Sequence, residues 1–109
     1  MIRVPKYRPS THPGEMLQEE FLIPMALTQR ELATALHVPY QRINEIINGK
    51  RGITPSTALR LGRFFGMTAA FWMSLQVRWD LYYAQQSEQQ ELEQIQPRQS
   101  LQPAMAEIA

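Results

Sequence analysis

Gln41 and Asn44 stand three residues apart, flanked by Tyr40 and Glu45. A carboxamide pairs in bidentate fashion with adenine N6 and N7, and a carboxylate accepts from cytosine N4. A phenol packs on a thymine methyl or bonds a phosphate. Presented from one helix, Tyr40, Gln41, Asn44 and Glu45 can address base edges in a major groove, with Gln41 the strongest candidate for direct readout. A second group suits backbone phosphates: Thr28 and Gln29 at a helix start, Arg42 toward the backbone, and Asn48, Lys50 and Arg51 at the far end. Nothing in the pattern suits catalysis. His12 and His37 are distant and neither has a partner at metal-ligand spacing. There is no glycine-rich phosphate loop and no nucleophile–base pattern. The expectation is recognition without chemistry, with no catalytic residue, metal or cofactor.

Two short helices must position these groups. The first starts at Thr28, where Thr28 and Glu31 fit a capping box and Leu27 and Leu32 a hydrophobic staple. Leu32, Ala33 and Leu36 form its apolar side, and Ala33 is small where a second helix crosses. The next helix runs from about Pro39 to Asn48, anchored by Ile43, Ile46 and Ile47 at i, i+3, i+4 spacing. Gly49 suits the left-handed position that ends it. Two helices joined by a short turn, the second polar on its outer side, form a helix-turn-helix pattern.

Further elements frame this pair. A helix is predicted over Pro13 to Leu22, with proline in its first turn, stopped by Pro24. Another opens at Thr54-Pro55 and ends at Gly66, with Ala58, Leu61, Gly62 and Phe65 on its apolar side. Residues 68–83 alternate like a strand, yet Phe71, Leu75, Trp79 and Tyr82 also share a helical side. A lone strand would have no sheet to join, so helix is the reading, with Thr68 as its cap. Its apolar residues wrap most of the way round, which calls for a partner surface. Residues 84–96 continue as an exposed Gln/Glu-rich helix ended by Pro97.

A chain of 109 residues fits one small domain with a tail. The expected division is a basic arm over 1–11, a DNA-binding and dimerisation domain over 12–83, and a helical extension with a flexible tail over 84–109. Net charge is +1, yet residues 1–79 hold ten Lys/Arg against five Glu, whereas 80–109 hold one Arg against five acids. A basic front and an acidic rear suggest two different partners. There are no cysteines, no run long enough for a membrane span and no signal-peptide core at the start. A cytoplasmic location is expected.

The chain resembles phage-repressor-type helix-turn-helix domains and, more closely, the HigA (VapI) antitoxins. The residues that carry the likeness are His12-Pro13-Gly14-Glu15, Thr28-Gln29-Arg30-Glu31-Leu32-Ala33 and the run Ile46 to Thr54. Ala58-Leu59-Arg60-Leu61, Phe71 to Gln76 and Asp80-Leu81 complete it. The resemblance spans about residues 12–83. It implies an all-α, five-helix repressor-like domain with a C-terminal helical extension. It also implies a homodimer that binds double-stranded operator DNA, represses its own operon and neutralises a HigB-type mRNA-cleaving ribonuclease toxin. The segment with Phe71, Trp72, Leu75, Trp79 and Tyr82 resembles the family's dimer-forming element. Two departures stand out. His37 occupies a usual glycine position, which demands a strained or altered turn. Pro39 replaces a Ser or Thr cap, so the recognition helix loses its side-chain cap. Two readings of other classes remain: a stand-alone repressor without a toxin, and a protein-interaction module.

Overall fold

Four of the five helices among the described residues open on a side chain that accepts a free backbone N–H. The one expected to read bases does not. The computed structural model describes residues 11–98. The basic arm therefore lies outside the described residues except for Thr11, as does the tail beyond Arg98. No strand occurs among them, and no helix is long and apolar enough to cross a membrane.

Helix α1 spans Pro13–Leu17, with the His12 Nδ1 accepting from the Gly14 N–H at 2.9 Å. The predicted helix to Leu22 has the expected extent but not uniform winding. Gln18–Leu22 forms a π-helical turn, in which the Ile23 N–H reaches the Gln18 carbonyl at 3.0 Å. After Pro24 the chain turns through Ala26, whose φ is 52°.

Helix α2 spans Gln29–Leu36 and begins with the reciprocal capping box. The Glu31 N–H donates to the Thr28 hydroxyl at 3.0 Å, and the Thr28 N–H to the Glu31 carboxylate at 2.9 Å. Those two bonds satisfy donors that every helix start leaves unpaired. The Glu31 carboxyl is held below its usual pKa, first by the Thr28 backbone N–H and then by its side chain. His37 closes α2 in the left-handed conformation, φ 60° and ψ 44°. The histidine takes the glycine-like turn the spacing demands. The Arg60 guanidinium donates to the Leu36 carbonyl beside it at 2.8 Å, satisfying one of the helix's last acceptors.

Helix α3 spans Tyr40–Ile47, one residue shorter at each end than the pattern suggested. Pro39 is its N-cap residue, extended at φ −63° and ψ 144°, and offers no side-chain acceptor. Asn48 and then Gly49, at φ 73°, end it. Helix α4 spans Pro55–Phe65, capped by Thr54 and closed by Gly66 at φ 69°. Helix α5 runs unbroken over Ala69–Glu93, so 68–83 and its extension are one 25-residue helix. It ends at Glu93 with Gln94 as its cap, three residues ahead of Pro97.

The core lies where α1–α4 meet the start of α5. Leu17, Leu32, Ile43, Ile46, Leu61 and Trp72 are fully buried there. Ile47 is only half-buried, so Ile43 and Ile46 bear most of the anchoring. Trp72 packs against the rings of Phe21, Phe65 and Phe71, and its indole N–H has no hydrogen-bond acceptor. α1 crosses α3 so closely that a Cβ on Gly14 would collide with the Ile46 carbonyl. Glycine there sets the seat of the recognition helix.

Candidate nucleic-acid interface

The outer side of α3 carries a connected strip of amides. The Asn44 Nδ2 donates to the Gln29 side-chain oxygen at 3.0 Å, which ties the middle of α3 to the first turn of α2. It also reaches the Tyr40 hydroxyl at 3.3 Å, while Asn48 Nδ2 donates to Asn44 Oδ1 at 3.2 Å. Four residues that sequence reasoning divided between bases and phosphates thus form one network. Each retains unused donors or acceptors, and together they offer a pre-positioned polar surface.

A second group surrounds Glu45. Its carboxylate pairs with the Arg51 guanidinium at 2.9 Å and accepts from the Gln41 amide at 3.3 Å. Gln41 is exposed, with its carbonyl oxygen left to accept from a base. Glu45 is half-buried, and its pairing with Arg51 offsets the repulsion a lone carboxylate would exert on phosphate. Arg51 also carries the chain from α3 into the loop toward α4, where Lys50 is exposed.

The remaining candidates are dispersed. Thr28 is exposed, but its hydroxyl serves first as the α2 cap. Arg42 is half-buried on the flank of the isoleucine stripe. Phe71, Leu75, Trp79 and Tyr82 are half-buried along α5. Trp72 is a correction to the expected interface: its side chain is fully buried within the chain, so it serves the core and has no surface to offer a partner. The expectation failed because α5 is apolar on more than one side, and the pattern alone does not say which side faces inward.

Two residues that position the site were not anticipated. The Arg30 guanidinium stacks over the Tyr40 ring, 4.2 Å from its centroid, and so fixes the phenol from the neighbouring helix. Its place beside Gln29 in the first turn of α2 was the only available signal. Gln76 of α5 is buried, accepts from the Ile53 N–H at 2.7 Å and donates to Asp80 at 2.9 Å. A Cβ on Gly52 would strike the Gln76 amide. Gln76 therefore clamps the loop that follows α3, the loop carrying Lys50 and Arg51. Nothing set it apart from Ser74, Arg78 and Asp80, the other polar positions of the same alternating run.

His12 links the site's frame to α5. Its ring meets Trp79 edge-on, 4.9 Å between centroids. Burial pushes its pKa down, opposed by the nearby carboxylates of Asp80 and Glu15. The neutral ring is also the form that can accept from Gly14.

Known proteins share this fold. Residues 19–72 match the helix-turn-helix family model. Virulence-associated protein I of Dichelobacter nodosus is 53% identical over 81 residues, covering 74% of this chain and 75% of that protein. Antitoxin HigA-1 of Vibrio cholerae is 35% identical over 96 residues, covering 88% of this chain and 90% of that protein. The Pseudomonas aeruginosa antitoxin HigA, solved with the higBA promoter, superimposes with a TM-score of 0.78 at 40% identity. That match covers 83% of this chain and 98% of the other.

Proposed function

The chain belongs to the HigA (VapI) family of phage-repressor-type helix-turn-helix proteins, and on that premise we propose that it is a DNA-binding antitoxin that represses its own operon. It neutralises a HigB-type mRNA-cleaving ribonuclease and does no chemistry itself. It acts in the cytoplasm as a homodimer, through residues 12–83, with the helical extension following.

The observation that carries the DNA reading is the amide strip joining Gln29, Tyr40, Asn44 and Asn48 across two helices. Such a strip costs little to order when DNA arrives, because its side chains are already held. α3 lies in the major groove. Gln41 reads adenine, Asn44 and Tyr40 read or brace neighbouring positions, and Glu45 acts with Arg51 as a neutralised pair. The free N–H groups at the start of α2 hold one phosphate with Thr28 and Gln29. Arg42, Asn48, Lys50 and Arg51 hold others. One short helix reads few base pairs, so two copies address an inverted repeat whose half-sites lie about one DNA turn, ~34 Å, or a multiple apart. Phe71, Leu75, Trp79 and Tyr82 contribute to that pairing.

Gel-shift titrations on operator and scrambled DNA test this reading. Gln41→Ala should cost about 1–3 kcal/mol on the operator and relax choice at one base position. Arg51→Ala should weaken both DNAs alike and lower the salt slope by about one. Equal losses on both DNAs for Gln41→Ala would remove it as a reader. Co-expression with the product of the neighbouring gene tests the antitoxin role, and a toxicity it fails to relieve, or no toxicity at all, would leave a repressor alone.

A further inference from the structure

Helix α5 is apolar on two opposite sides, and the described residues cover only one of them. Trp72, Gln76 and Trp79 face α1, α4 and the loop after α3. Val77, Leu81 and Leu92 are 47%, 40% and 44% exposed. At ~100° per residue these three, Glu88 and Glu91 fall within about 100° of arc, roughly 150° round from the inward side. The stripe runs onto the part of α5 that stands clear of the body, in a molecule 55 Å long but only 27 by 22 Å across. Its charge is one-sided. Between residues 79 and 97 stand Asp80, Glu88, Glu91 and Glu93, with no Lys or Arg.

We propose that this outer stripe of α5, Val77–Leu81–Glu88–Glu91–Leu92, is the docking surface for the cationic face of the ribonuclease. The inference rests on the antitoxin reading above and adds the surface that performs it. A nuclease that cleaves RNA must offer Lys and Arg to phosphates. A helix that presents carboxylates beside exposed leucines matches such a face in charge and supplies the apolar contact that holds it. Occupying that face also keeps RNA off, so binding and neutralisation become one event. A second copy fits this stripe poorly. Pairing two stripes sets Glu88 against leucine or against another carboxylate, with only Arg78 near to compensate. Nucleic acid fits worse, since every charge on 79–97 repels it. The stripe also lies on a different element from the amide strip of α3, so one chain can hold DNA and ribonuclease at once.

The test uses the whole chain and a basic HigB-type ribonuclease, the product of the neighbouring gene if it is one, with affinity measured by isothermal titration calorimetry. Glu88→Lys with Glu91→Lys should weaken the complex at least tenfold and flatten its salt dependence. Leu81→Ser with Leu92→Ser should weaken it comparably without changing that dependence. Operator gel shifts and sedimentation should match wild type for both variants. Wild-type affinity in both would overturn the proposal while leaving the antitoxin reading intact. Loss of self-association in the leucine variant would overturn it by assigning the stripe to a second copy. Failure of the unaltered chain to bind the ribonuclease would defeat the antitoxin reading, and this surface with it.

Discussion

Helices α3 and α5 differ in how they divide their surfaces. α3 has eight residues, one side sunk in the body and the other polar. α5 has 25 residues and apolar groups on both sides, of which the body covers one and only near its start. The contrast separates two ways of serving a partner. α3 is held rigidly by Ile43, Ile46 and the close approach of Gly14, so its outer side chains meet a partner in fixed positions. α5 supplies reach, and its specificity must come from charge and apolar pattern along an exposed side.

The largest expected effect sharpens that contrast directly. Ile46→Ala should cost about 2–5 kcal/mol, from lost burial and the cavity left behind. Leu92→Ala should stay within about 0.5 kcal/mol, because among the described residues it has no place in the core cluster. Urea denaturation compares the two, and similar losses would erase the distinction between held and projecting helix.

Gln76→Leu tests whether the near half of α5 belongs to the recognition unit. Removing the acceptor of the buried Ile53 N–H should cost about 1–3 kcal/mol. Amide exchange at Ile53 should quicken, and operator affinity should fall because the loop carrying Lys50 and Arg51 is freed. Unchanged exchange would mean the loop after α3 holds itself.

Thr28→Ala removes half of the capping box and should cost about 1 kcal/mol. Thermal unfolding measures it, and no loss would show α2 to be held by packing alone.

The smallest effect is a pH dependence at the joint between α1 and α5. The His12 pKa is lowered in the fold, so the folded state favours the neutral ring. Its contribution is complete above about pH 6.5 and is lost as pH falls through the lower folded value. His12→Asn keeps an acceptor for Gly14 and should flatten stability between neutral and mildly acidic pH. Glu31 is also lowered, and its contribution disappears only in the acidic range below ordinary carboxylate values. The two windows are separable by a pH series of melts.

These features were not equally legible in the sequence. The capping box, the left-handed Gly49 and Gly66 and the isoleucine anchors are local, so spacing alone reveals them. The segment 68–83 was ambiguous for a physical reason now visible. A helix with apolar residues on opposite sides places them two apart as well as three and four apart, and so imitates a strand's alternation. The same two-sidedness hid Trp72's place in the core. The roles of Gln76 and Arg30 could not be read because their partners, Ile53 and Tyr40, lie on other elements. The amide strip was legible as a set of residue types, but the bond from Asn44 to Gln29 depends on how α2 crosses α3.

The wide turn at Gln18–Leu22 has a consequence for the history of the chain. A π turn holds one residue more than regular winding needs, so it behaves as an insertion lodged inside a helix. Deleting a single residue there would allow ordinary winding to resume without breaking the helix. Because the wide turn already takes up the extra residue, Pro13 and Gly14 would keep nearly the same orientation relative to Leu22. Gly14 would stay against the Ile46 carbonyl, where no Cβ fits. The wide turn therefore lets the chain differ in length by one residue while the seat of the recognition helix stays the same.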